Sequence, residues 1–108
     1  MSLYRFKSRE TGDLVMLQPT GKRILEVLGK DPAAPGILQP AEYPGAVIAL
    51  RAAADAEEAL HRRLKDEARA NGEPEPQFET VSFHMRCVPF IEMMKRCEKA
   101  DVAIVWGI

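Results

Sequence analysis

The stretch from Thr11 to Pro40 constrains this chain more than any other, because it concentrates the residues that dictate backbone geometry. Thr11-Gly12-Asp13, Pro19-Thr20-Gly21, Gly29-Lys30-Asp31-Pro32, Pro35-Gly36 and Pro40 punctuate two apolar runs, Leu14 to Leu17 and Ile24 to Leu28. Glycine permits positive φ and proline fixes φ near −65°, so the path is closely specified. The same stretch holds no histidine and no cysteine. Specified geometry without such groups points to a scaffold or a binding surface more than to a reaction centre.

At 108 residues the chain is a single globular domain, residues 1–108, with no room for two independent cores. A chain of this length buries roughly two-thirds of its unfolded surface, enough for stability without metals or disulfides. A formal net charge of −1 does not favour nucleic acid as a partner, for which a basic patch or stripe is the expected footprint. Charge is uneven, however. Residues 41–80 carry five Lys/Arg against nine Asp/Glu, making the middle third the acidic one. Met1 to Lys7 contains no apolar core of signal-peptide length, and no run approaches the ~20 apolar residues that span a bilayer. The expectation is a cytoplasmic protein that does not act at a membrane.

Cys87 and Cys97 lie ten residues apart in what reads as one helix. At ~1.5 Å rise per residue they stand roughly 15 Å apart, too far for a disulfide within that helix. The spacing is not a zinc pattern either. Buried free thiols, no metal and no cofactor are the expectation.

Leu3 to Ser8 reads as a strand, with Tyr4 and Phe6 on one face and Arg5 and Lys7 on the other. Asp13 is placed to cap a following helix. Leu14, Leu17, Gly21, Ile24, Leu25 and Leu28 recur at helical intervals, which favours a kinked or two-part helix from Asp13 through Gly29. Pro19 opposes this, and the alternative is a strand at Leu14–Gln18 with a helix from Thr20. A proline-bearing loop follows, with a short extended piece at Ile37-Leu38-Gln39. The longest element runs from about Glu42 to Asn71, its stripe formed by Tyr43, Val47, Leu50, Ala53 or Ala54, Leu60, Leu64 and Ala68. Residues 72–80 form a flexible acidic connector.

Ser82 starts a third helix that reaches about Ala100, with Phe83, Cys87, Phe90, Ile91, Met94 and Cys97 as its core stripe. Met85, Val88, Pro89 and Met93 fall on other sides of the same wheel. A helix that is apolar on more than one side is covered on more than one side, by the domain or by a second subunit. Pro89 implies a kink. Val102 to Ile108 reads as a strand covered on both faces, pairing with Leu3–Ser8 to join the two termini in one small sheet.

With these elements placed, the chain resembles an uncharacterised bacterial family, domain of unknown function 1840. The residues that carry the resemblance begin with Tyr4-Arg5-Phe6-Lys7-Ser8, Thr11-Gly12-Asp13, Met16-Leu17 and Gly21. They continue through Gly29-Lys30, Pro32-Ala33-Ala34, Gly36-Ile37, Pro40-Ala41 and Pro89 to Val105-Trp106-Gly107. The resemblance covers nearly the whole chain and is weakest from about Arg62 to Phe78. It implies a small, cytoplasmic, single-domain protein and brings no activity to any position.

No constellation amounts to a catalytic set. Thr20-Gly21-Lys22 and Gly29-Lys30 fail the phosphate-loop pattern, which needs an earlier glycine and a following Ser or Thr. A looser anion site using Lys22, Arg23 or Lys30 competes with a solvated basic face. His61 and His84 stand alone. The binding residues singled out are Asp13, Lys30, Arg86 and Trp106. Arg86 could clamp a carboxylate or phosphate bidentately, or simply make an ion pair. Met85, Pro89 and Met93 are the interface residues singled out.

The expected fold is α/β (α+β-like): a two- to three-stranded sheet containing both termini, packed against about three helices. So small a sheet is weak alone, and dimerisation would relieve it. The leading function is a non-enzymatic interaction or regulatory module that self-associates as a dimer. The alternative is a small-molecule or anion-binding protein, binder or enzyme, with its site between Thr11–Lys30 and the third helix.

Overall fold

The computed structural model describes residues 3–107. Strand β1 (Leu3–Phe6) pairs antiparallel with strand β2 (Leu14–Leu17), Leu3 opposite Leu17 and Phe6 opposite Leu14. Alternation along the pair turns Tyr4, Phe6, Leu14 and Met16 toward the core and Leu3, Arg5, Val15 and Leu17 outward. The intervening loop is closed by Ser8, whose Oγ accepts the Thr11 N–H at 3.0 Å.

The kinked or two-part helix starting at Asp13 is therefore not what forms. Leu14–Leu17 is strand, and helix α1 spans Gln18–Val27. Four consecutive apolar residues satisfy either period, and pairing with β1 decides between them. Pro19 then sits in the first turn of α1, where its missing N–H costs nothing. Asp13 caps no helix; its carboxylate faces Arg5 at 3.4 Å.

Helix α1 ends as its sequence requires. Gly29 adopts φ +74°, and the Lys30 N–H reaches back to the Leu25 carbonyl at 2.8 Å, closing the turn. Gly21 lies against the Tyr4 ring, where a Cβ would collide, so glycine sets the close approach of α1 to β1.

Strand β3 (Gly36–Leu38) and a 3-10 turn (Pro40–Glu42) lead into helix α2 (Tyr43–Ala70). Helix α3 (Phe83–Ala100) begins at Ser82, whose hydroxyl accepts the Met85 N–H at 3.2 Å. Strand β4 (Ile104–Trp106) pairs antiparallel with β3. The architecture is α+β: three helices with two small two-stranded antiparallel sheets. The two terminal strands meet at a single bridge, in which Lys7 and Val105 exchange backbone hydrogen bonds of 2.8 and 2.9 Å.

The core gathers around Phe6, whose ring meets Phe90 edge-on at 4.8 Å and Trp106 at 5.8 Å. Ile24, Leu25, Leu38, Tyr43, Leu50, Met94 and Ile104 complete it. Full burial of each such side chain is worth about 1.5–3 kcal/mol. The expected stripe of α3 is buried throughout. In α2 burial stops at Ala54, and Leu60, expected in the stripe, is exposed. The distal half of α2 thus runs beyond the core. The radius of gyration, 16.1 Å, accordingly exceeds the roughly 13 Å of a compact chain this long.

Residues 71–82 have no regular structure but fold back along α2. Arg69 holds Glu75 at 2.8 Å, and Phe78 stacks on His61 with centroids 3.8 Å apart and rings 5° from parallel.

Candidate functional site

The residues singled out in the sequence do not share one place. Asp13 pairs with Arg5 at the hairpin loop. Lys30 donates to Glu42 at 2.7 Å, and this hydrogen bond, with one from the Gln39 N–H, holds the Glu42 carboxyl below its ordinary value. Trp106 is 2% exposed, and its indole N–H meets no acceptor. Its ring covers Gly36, where no side chain would fit. Met93 is 4% exposed and belongs to the core, whereas Met85 is 58% exposed and Pro89 is exposed beside it. Pro89 has no N–H to offer the Met85 carbonyl, and solvent reaches both residues.

Arg86 alone of these opens on a continuous groove. One cavity of about 260 Å³ is lined by Leu17, Pro19, Thr20, Arg23, Phe83, Arg86 and Glu79. It merges on one side with a bowl formed by Leu3, Val15, Met16, Leu17, Thr20 and Arg86. On the other it continues under the connector, past Glu57, His61, Phe78 and Ser82. The groove is therefore apolar at its hairpin end and charged at its connector end, with Arg86 between them.

Three helices position the charged end. Arg23 projects from α1, donates to Glu57 Oε1 at 2.8 Å and lies 3.9 Å from the centre of the Phe83 ring. Glu57 Oε2 accepts the Phe83 N–H at 3.1 Å, so one carboxylate joins α1, α2 and α3. Burial disfavours the charged Glu57, yet the hydrogen bonds from Arg23 and Phe83 outweigh it and hold the carboxyl below its ordinary 4.5. Arg86 is held more loosely. Its Nη2 lies 3.4 Å from Glu79, a carboxylate on the connector that is 79% exposed.

The arrangement offers two guanidiniums, one clamped and one nearly free, beside the Thr20 side chain and the first turn of α1, which carries no side-chain cap. Guanidinium forks of this kind have the donor geometry for a carboxylate or phosphate oxygen. Burial pushes the Cys87 thiol up to about 11, which keeps it protonated and unreactive. Among the described residues no group of three His, Cys, Asp or Glu could hold a metal ion, and no helix is long and apolar enough to cross a membrane.

Arg23 was visible in the sequence only as one of several basic residues near a helix end. Glu57 and Phe83 gave no local signal, because the pairing that gives them a role spans 34 and 26 residues.

No curated protein and no solved structure matches the chain. A family model described as Domain of unknown function (DUF1840) matches residues 2–106, and the chain belongs to that family.

Proposed function

We propose that this protein is a non-enzymatic interaction or regulatory module of the cytoplasm that works as a homodimer. The observation that carries this reading is the outer face of the β1–β2 hairpin. Leu3, Val15 and Leu17, three of its four side chains, are apolar and exposed. On a small monomer such a face is a liability unless something covers it. A second copy is the occupant that supplies an equally apolar surface. Met85 and Val88, on either side of Arg86 in the sequence of α3, are also exposed. Dimerisation also shields a two-stranded sheet that is weak in isolation.

Two features support this reading over nucleic acid as the partner. Net charge is −1, and Arg5, Arg23 and Lys30 each hold a carboxylate. The reading as a small-molecule or anion-binding protein, binder or enzyme, puts its site between Thr11–Lys30 and the third helix, where the groove does lie, and uses Asp13, Lys30 and Arg86 together. Each instead keeps its own ion-pair partner, and only Arg86 lines the groove.

Native mass spectrometry across micromolar dilution tests the proposal, using the wild type and Val15→Lys. A wild-type dimer that the substitution converts to monomer is the expected result. A wild type that is monomeric throughout overturns it.

A further inference from the structure

The charged end of the groove differs in chemistry from the apolar hairpin face, which it adjoins at Leu17 and Arg86. Arg23 lies over the Phe83 ring and donates from Nη1 to Glu57 at 2.8 Å. Arg86 is held more loosely: its fork of five donors has one long contact of 3.4 Å, to a carboxylate that water largely surrounds. With Glu79 in place the two arginines face two carboxylates. Without Glu79, one positive charge would be left uncompensated beside Leu17, Pro19, Thr20 and Phe83.

The connector's own docking indicates what fits there. Phe78 and Glu79 are adjacent; the phenyl ring stacks on His61 while the carboxylate reaches Arg86. The chain thus carries an extended aromatic–acidic pair seated along the groove.

We propose that this groove binds an acidic segment of a partner protein, and that Phe78–Glu79 is the resident occupant which such a segment displaces. A Glu or Asp carboxylate of the partner takes the Arg86 fork, beside the uncapped first turn of α1. An adjoining aromatic or large apolar side chain takes the place of Phe78. The connector is joined to the site by a short tether, so it competes at an effective concentration in the millimolar range. A partner must exceed that, or arrive with further contacts.

The test follows the Arg86 Nε–Hε resonance while a synthetic peptide spanning Pro76 to Thr80, blocked at both ends, is titrated into the protein. Three proteins are compared: the wild type, Glu79→Gln, and Glu79→Gln with Arg86→Gln. The expected result is that Glu79→Gln binds the peptide with a dissociation constant below about 1 mM, and the wild type at least about fivefold more weakly. The Arg86→Gln double variant, followed by its backbone amides, and a peptide with glutamine in place of glutamate should both fail to bind. Equal binding by the double variant, or none by Glu79→Gln, overturns the proposal. So does a response of Arg86 to inorganic phosphate at lower concentration than to the peptide, which would make this a small-anion site. The peptide titration is read at the Arg86 side chain and the oligomeric state by native mass spectrometry of the wild type, so failure of the dimer and failure of this site are read separately.

Discussion

Glu57 and Arg23 meet at 2.8 Å across the junction of α1 and α2, and the same carboxylate receives the backbone N–H that opens α3. Three helices far apart in sequence are thereby tied together by one side chain, which is only 18% exposed. Replacing Glu57 with Ala should cost about 1–2 kcal/mol in urea unfolding. Hydrogen bonds to a charged group support that figure, and the 44% exposure of Arg23 limits the Coulombic share.

The same residue sets an acid dependence. Its carboxyl lies below the ordinary 4.5 in the folded chain, so its stabilisation is complete above that pH and is lost as pH falls through the lower folded value. The stability difference between wild type and Glu57→Gln should therefore shrink when the urea midpoints, compared first at neutral pH, are compared again well below pH 4.5. A difference that stays constant would show that the charge of Glu57 contributes nothing.

Trp106 and Gly36 form a second coupled pair. Adding a Cβ at Gly36 drives into the indole, and overpacking of this kind costs about 1–3 kcal/mol. Trp106→Ala should cost about 3–5 kcal/mol. Trp106→Phe should cost far less, because the indole N–H lacks an acceptor and its removal relieves an unmet donor. Thermal melts of the three variants, followed by circular dichroism, rank them directly.

Asp101 is the one non-glycine residue with positive φ among those described, at φ 57°, ψ 47°. It closes α3 in the way Gly29 closes α1, with the Val102 N–H reaching the Cys97 carbonyl at 3.0 Å. Asp101→Gly should raise stability by up to ~1 kcal/mol, since glycine adopts this conformation without steric cost. A loss of stability would mean that the Asp101 side chain holds this turn in place.

Much of the helical framework was legible because it is local. Ser82 announces α3, Asn71-Gly72 ends α2, and the Phe83-to-Cys97 stripe is buried as its spacing requires. Leu14–Leu17 was misleading because its residues fit a helical stripe with Gly21 and Ile24, and only β1 breaks the tie. Pro19 was the local clue, since it belongs in a first turn. Met93 falls outside the Phe83-to-Cys97 stripe and reads as covered by the domain or by a second subunit; the domain itself covers it. Of the groove, its place between Thr11–Lys30 and the third helix was legible, with Arg23 and Arg86; the pairs to Glu57 and Glu79 were not, because they join separate helices and a connector without periodicity.

The central claim is that the hairpin's outer face is covered by a second copy. An isotope-filtered NOE experiment on a mixture of labelled and unlabelled protein tests it most directly. Intermolecular contacts from the Val15 and Leu17 methyl groups are the predicted result. A dimer whose intermolecular contacts arise only from Met85 and Val88, or a monomer at the same concentration, would contradict it.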